Sequence, residues 1–343
     1  MRKLLNSLFI VSEDSYLSLD GENIVIRKDD EQIGRFPLHT LENILCFSYK
    51  GASPALMGKC AKDGIGLAFF SPSGRFLART LGESRGNVLL RKEQYRRSDN
   101  QDSSCQIAKH FLLGKIYNSR SILERATRDH PLRIDIQAVR NISSELAQSL
   151  SDVTACDNLD VLRGIEGQAA AYYFGVLDQL ILQNEDAFAF TGRSRRPPLD
   201  RFNALISFLY TLLANQCAWA LEGVGLDSYV GFLHRDRAGR RSLSLDLMEE
   251  LRPILSDRLA LTMINNREIR PEHFEIHENG AVLLNDNGRK VVLSAWQERK
   301  RETLTHPFLE EKIAWGLVPH VQALLLARYL RGDIDSYPPF LWK

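Results

Sequence analysis

The chain has 343 residues, 44% hydrophobic and 25% charged, a balance that excludes wholesale disorder and favours two cores over one. A formal net charge of +1 excludes a globally basic surface, so any affinity for nucleic acid must come from local clusters of Lys and Arg. The five cysteines, Cys46, Cys60, Cys105, Cys156 and Cys217, form no C-x-x-C pair, which argues against both a disulfide framework and structural zinc.

The N-terminus, Met1-Arg2-Lys3 followed by Leu4 to Val11, looks superficially like a short signal. It lacks a small-residue cleavage site and runs into Ser12-Glu13-Asp14, so it reads as a first strand. No uninterrupted apolar run reaches the roughly 20 residues that span a bilayer. The expectation is a cytoplasmic, reducing location with no membrane partner.

Short β-type runs follow at Leu8 to Val11, Tyr16 to Leu19, Asn23 to Arg27, Asn43 to Phe47 and Gly66 to Phe70, separated in places by turn formers such as Asp20-Gly21 and Ser73-Gly74. Between two of these runs, Ser53 to Asp63 has helical spacing, with Gly64 placed to end it. From about Asn87 the pattern changes to apolar residues three and four apart, as in Ile107, Phe111, Leu112 and Ile116, and in Leu205, Phe208, Leu209, Leu212 and Leu213. The spacing predicts an α+β protein, with a small β-rich domain over 1–84 and a larger, mostly helical domain over 85–343. One interruption is expected at Phe274 to Leu293, where Ala281 to Leu284 and Lys290 to Leu293 flank Asn285-Asp286-Asn287-Gly288 in the manner of an inserted β-hairpin. Arg195-Arg196-Pro197-Pro198 and Tyr337-Pro338-Pro339 mark places where helices stop.

Within Val161 to Gln183, Leu162, Ala169, Tyr173, Val176 and Leu180 share a helical stripe, and Glu166 falls four residues after Leu162 within it. A carboxylate there needs a cation, a donor network or a metal. A salt bridge to an Arg, or access to water at a cleft, explains it equally well. A second group comprises His234, in Gly231-Phe232-Leu233-His234, and Asp246 and Glu249, which stand three apart and share a face of one helical turn. A capping box with acids in a first turn is the structural alternative for Asp246 and Glu249, and local sequence does not separate the two. Carboxylates with one imidazole suit Mg²⁺ or Mn²⁺ better than zinc, and such ions polarise phosphates. The phosphate loop G-x-x-x-x-G-K-[ST] is absent.

Three basic clusters accompany these acids. Arg75 to Arg97 includes Arg85, Arg91, Lys92 and Arg96, with Tyr95 interleaved; Arg193, Arg195 and Arg196 form the second; Arg235, Arg237, Arg240 and Arg241 form the third, beside His234. Such strips suit a phosphate backbone, with a solvated surface loop as the plain alternative.

At Gly164-Ile165-Glu166-Gly167, at Arg195-Arg196-Pro197-Pro198-Leu199-Asp200-Arg201-Phe202-Asn203-Ala204, at Gly231-Phe232-Leu233-His234 and along Ser242 to Pro253, the sequence resembles the CRISPR-associated protein numbered one. This is the integrase and endonuclease family of spacer acquisition, and the resemblance spans nearly the whole chain. The run of motifs looks most like the version that accompanies type I-C systems. The resemblance implies an N-terminal β-sandwich domain and a C-terminal helical domain. It implies that Glu166, His234 and Glu249 bind Mg²⁺ or Mn²⁺, with Glu249 where other members often have Asp, and that Asp246 is a supporting catalytic acid. It further implies a homodimer, and a hetero-hexamer with the small second CRISPR-associated adaptation protein. The substrates would be double-stranded DNA fragments with 3′ ends and CRISPR repeat DNA. Two other readings compete: a DNA-binding scaffold whose acids and histidine are structural, and a general metal-dependent nuclease acting on branched DNA.

Overall fold

A computed structural model describes residues 6–12, 14–71, 76–82, 88–183 and 185–342. The N-terminal part holds strands β1 (Ser7–Ile10), β2 (Ser15–Asp20), β3 (Asn23–Lys28), β4 (Glu31–Pro37), β5 (Asn43–Cys46), β6 (Gly66–Phe70) and β7 (Phe76–Arg79), with helix α1 (Pro54–Asp63) between β5 and β6. Two sheets form. β2-β3-β4 is an antiparallel meander, and β1-β5-β6-β7 is a mixed sheet in which only the β6–β7 pair is antiparallel.

The five strands expected from sequence are present. β4 and β7 were not expected. β4 is largely exposed, so it lacks the apolar alternation by which a strand is read, and it joins β3 through Asp29-Asp30, both at positive φ (48° and 66°), a tight hairpin turn. α1 matches its prediction, with Ser53 accepting from Leu56 N at 3.3 Å and Gly64 left-handed at φ 68°. The turn expected at Ser73-Gly74 and the domain boundary expected at residue 84 lie outside the described residues.

The period of two along β5 and β6 explains how the two sheets join the rest of the molecule. Ile44, Cys46, Leu67 and Phe69 point into a small core with Leu17, Ile24, Ile26, Leu56 and Cys60. Their neighbours Leu45, Phe47, Ala68 and Phe70 belong to the large helical core, where Phe47 stacks on Phe70 and Phe208 with ring centroids 5.0 and 6.1 Å apart. A sheet buried on both faces reads as near-continuous apolar sequence.

The helical part comprises α2 (Val88–Asp99), α3 (Gln101–Asp129), α4 (Ile136–Ala155), α5 (Leu159–Gly175), α6 (Arg201–Gly223), α7 (Ser242–Glu249), α8 (Arg258–Asn265), α9 (Asp286–Arg301) and α10 (Val318–Arg331), with a π-helical segment Arg252–Asp257 between α7 and α8. Among the described residues α6 alone is long and apolar enough to cross a membrane by length and composition, although Asn203, Ser207, Thr211, Asn215 and Gln216 interrupt its apolar run. Most of its apolar length is buried as a core helix.

The inserted hairpin exists but not where the sequence placed it. β8 (Phe274–Ile276) pairs with β9 (Val282–Leu284), and Lys290 to Leu293 is helical, part of α9. Asn285 is not a turn residue; its side chain caps α9 by accepting from Gly288 N at 2.9 Å. Turn and N-cap draw on the same residues, because both use a short polar side chain to satisfy nearby N–H groups. Strands β10 (Thr303–Thr305) and β11 (Lys312–Ala314) form a second small hairpin before α10.

Candidate metal centre

α5 carries Glu166. Its N-terminus is set by Asn158, whose side chain accepts from Asp160 N and Val161 N at 2.9 and 3.1 Å. Leu162, Ala169 and Tyr173 face the core as the spacing predicts, and the helix ends at Gly175, so Leu177 to Leu180 continue as a 3₁₀ turn. Glu166 is not fully buried with its stripe: its side chain is 30% exposed.

The loop before α7 carries His234 and is wrapped tightly onto that helix. Asp246, fully buried, is the post around which it turns. Its Oδ2 accepts from Phe232 N at 2.6 Å and Leu233 N at 3.0 Å, and its Oδ1 accepts from His234 N at 3.0 Å. The same Oδ1 stands 2.6 Å from His234 Nδ1. Residue 231 has to be glycine for this wrap, since a Cβ there would lie 2.7 Å from Asp246 Oδ2 and 2.8 Å from Ser242 Cβ. The helix-capping alternative for Asp246 is therefore overturned: α7 begins at Ser242, so Asp246 is in mid-helix and serves a distant loop. From α5, Arg163 completes the anchoring by donating through Nε to Leu233 O at 2.7 Å.

With Nδ1 occupied, His234 presents Nε2 to the site, 3.9 Å from Glu249 Oε1. Glu249 lies at the end of α7, its side chain 2% exposed. Arg252 Nη2 is 3.0 Å from Oε1 and Lys115 Nζ is 2.8 Å from Oε2. Burial alone would raise the Glu249 carboxyl; Arg252, Lys115 and His234 outweigh it and hold the pKa at about 2. Lys115, on α3, also pairs with Glu166. Burial works against its charge, and Glu249 and Glu166 together raise its pKa above the ordinary lysine value. The next residue, Glu250, is buried in a separate network: it accepts from the Tyr337 hydroxyl, from Gln322 Nε2 at 3.1 Å and from Phe340 N at 2.8 Å.

The structure thus brings together Glu166, His234 and Glu249, with Asp246 directly behind the histidine. Among the described residues no three carboxylate, imidazole or thiolate groups stand at mutual metal-ligating spacing; the Lys115 ammonium lies between the two acids instead. The donor set still fits a hard divalent cation, with two carboxylates and an imidazole fixed by an acid on its other nitrogen. Glu249 Oε2 is buried with the Lys115 ammonium 2.8 Å away, so a metal would reach it only in the ammonium's place.

Sequence reasoning missed Lys115 and Arg252. The signal for Lys115 was a charge next to Ile116 on the apolar stripe of α3; for Arg252 it was the i,i+3 spacing from Glu249.

The predicted basic residues divide. Lys92, Arg195, Arg196 and Arg235 are exposed, Arg96 is 75% exposed, and Arg240 is half-buried. Arg91 donates through Nε to Gly225 O at 3.1 Å, and Arg241 is an internal brace, donating to Asn215 Oδ1 at 2.9 Å with its guanidinium over Phe76. Arg193 is likewise internal, bound to Asn203 Oδ1 at 2.6 Å and Ser207 Oγ at 2.9 Å. Arg85 lies outside the described residues. Beside the acids, a small cavity is lined by Lys115, Arg193, Arg195, Tyr210, Arg252 and Asp257.

Residues 8–298 match the model of the family described as CRISPR associated protein Cas1. The chain belongs to the Cas1 family. Over 347 aligned residues it is 52% identical to a CRISPR-associated endonuclease Cas1 of Rhodospirillum rubrum, with the whole of both chains covered. A Cas1 protein from Thermotoga maritima shares the fold, with a TM-score of 0.82, 22% identity and coverage of 98% of this chain and 99% of that one. So does a casposase bound to its integration product, with a TM-score of 0.85, 20% identity and coverage of 98% and 93%. The α+β class read from sequence is the Cas1 architecture, and the relatives at high identity are CRISPR-associated endonucleases.

Proposed function

We propose that the chain is a divalent-metal-dependent DNA integrase and endonuclease of CRISPR adaptation. The observation that carries this is the orientation of His234: Asp246 takes its Nδ1, so Nε2 faces Glu249, which shares the Lys115 ammonium with Glu166. Glu166, His234 and Glu249 would hold Mg²⁺ or Mn²⁺. When bound, the ion supplies charge neutralisation at the scissile phosphate.

The reaction is a transesterification. The 3′-hydroxyl of a captured fragment attacks a phosphodiester of the repeat, a new P–O bond forms, and the displaced strand leaves with a 3′-hydroxyl; one such bond replaces another, so no ATP is needed. Water in place of the 3′-hydroxyl gives endonuclease activity. Arg252, paired with Glu249, and the exposed Arg195 line the small cavity beside the acids, from which they would reach non-bridging phosphate oxygens. Asp246 acts by positioning His234 and stabilising the orientation in which Nε2 is available. Lys92, Arg96, Arg195, Arg196, Arg235 and Arg240 supply backbone contacts to the DNA. The working assembly is a homodimer that forms a hetero-hexamer with the small second CRISPR-associated protein, and the subtype is I-C.

The test is a strand-joining assay with repeat DNA, the small partner and Mn²⁺. Joining by the unmodified protein, lost with chelator and in His234→Ala while DNA binding persists, is the expected result. Full joining by His234→Ala would sink the reading in favour of a structural histidine.

A further inference from the structure

Two carboxylates held close together repel, and burying such a pair without a counter-charge is costly. The chain solves this from within. Lys115 stands on the buried side of α3, its side chain 11% exposed, paired with Glu166 and 2.8 Å from Glu249 Oε2. Among the described residues it is the cation that bridges these two acids; Arg252 reaches Glu249 and makes no ion pair with Glu166. The placement is enforced by backbone packing. At Gly114, α3 approaches the end of α7 so closely that a Cβ would lie 2.6 Å from Glu250 Cβ, which brings the adjoining Lys115 against Glu249.

We propose that the Lys115 ammonium is a built-in stand-in for the divalent ion. It holds Glu166 and Glu249 together before the ion arrives and withdraws from between them when the ion binds, so that loading is an exchange of cations at one position. This rests on the metal reading above. An ammonium and a divalent ion cannot share the gap between the same oxygens without strong repulsion. The ammonium has somewhere to go, because Lys115 also lines the adjoining cavity with Arg193, Arg195 and Arg252. The carboxylate of Asp257 in the same lining offers the displaced ammonium a counter-charge.

The experiment uses the full chain. Mn²⁺ affinity is measured by calorimetry, and thermal unfolding is followed in chelator and in Mn²⁺, for the unmodified protein, Lys115→Met, Lys115→Gln and His234→Ala. Lys115→Met is expected to lower Tm in chelator by several degrees, on the order of 5 °C, to regain most of it in Mn²⁺, and to bind Mn²⁺ roughly tenfold more tightly. Lys115→Gln, nearly isosteric and able to hydrogen-bond, is expected to move the same way with a smaller loss in chelator. A Lys115 variant that folds only with Mn²⁺ supports the proposal as well. His234-dependent Mn²⁺ binding in the unmodified protein, with affinity unchanged or weaker in both Lys115 variants, overturns the stand-in and leaves the metal reading intact. Failure of both variants to fold even in Mn²⁺ overturns it too, since the ion then cannot replace the ammonium. Mn²⁺ binding that is absent, or indifferent to His234, overturns the metal reading itself, and with it the stand-in.

Discussion

Asp246 Oδ1 lies 2.6 Å from His234 Nδ1 and simultaneously accepts the backbone N–H of the same histidine at 3.0 Å. One buried carboxylate therefore fixes both the ring and the main chain of residue 234, while its second oxygen takes two further N–H groups. Replacing it by asparagine turns one acceptor into a donor facing donors. Asp246→Asn is expected to destabilise the fold by about 2–3 kcal/mol in urea denaturation, and to reduce strand joining by roughly 10- to 100-fold through misorientation of the imidazole. Unchanged stability would show that the loop does not depend on this post.

Glu166 and Glu249 differ in burial, 30% against 2% side-chain exposure, and so should differ in what they cost. Glu166→Gln is expected to abolish metal-dependent joining with a stability change below about 1 kcal/mol. Glu249→Gln leaves Arg252 and Lys115 beside a neutral amide and is expected to cost about 3 kcal/mol as well as joining. Denaturation midpoints and joining rates on the same preparations check both.

Stability should fall between about pH 4 and 7. Glu250 is raised to about 7 because burial outweighs its hydrogen bonds from Tyr337, Phe340 N and Gln322, and Asp257 is raised to about 6 chiefly by burial against the help of Tyr210. A carboxyl raised in the folded state is protonated there and ionised in the unfolded chain, so its stabilisation is present below the unfolded value and is lost as pH rises through the folded one. For Glu250 the loss amounts to about 3 kcal/mol. Glu249 acts oppositely and lower: held at about 2, it stabilises above the unfolded carboxyl value and loses this as pH falls toward 2. Urea denaturation across pH 3 to 8 should show a maximum near pH 4, and a flat profile between pH 4 and 7 would contradict the Glu250 and Asp257 assignments.

Phe340 is fully buried, with its ring against His306 and Trp315 and its N–H on Glu250. Phe340→Ala is expected to cost about 3–5 kcal/mol, measured by thermal or urea unfolding. A near-neutral result would mean that the segment after α10 is not part of the core.

Arg195 and Arg196 are exposed, whereas Arg193 between the same prolines and Phe190 is tied to Asn203 and Ser207. The double variant Arg195→Ala/Arg196→Ala is expected to weaken DNA binding without loss of stability and to reduce the salt dependence of binding by about two phosphate contacts. Arg193→Ala should instead lower Tm. Fluorescence anisotropy at several salt concentrations separates the two outcomes.

By itself the sequence determined the α+β class, five strands and the apolar stripes of α3, α5 and α6, because periodicity is a local property, and it singled out Glu166, His234, Asp246 and Glu249 as candidates. It did not determine the roles within that set. Asp246 looked as much like a helix cap as a catalytic acid, since a cap and a loop anchor both present a carboxylate to backbone N–H groups; only the wrap of residues 231–234 onto α7 made it an anchor. β4 and the true position of the hairpin at β8 and β9 were hidden for a related reason, one having little apolar alternation and the other a cap that reads as a turn. Lys115 shows the limit most plainly. It is 51 residues from Glu166 in sequence, and nothing local pairs them. The contact follows from a glycine that lets two helices touch, and long-range packing of that kind decides which charges meet.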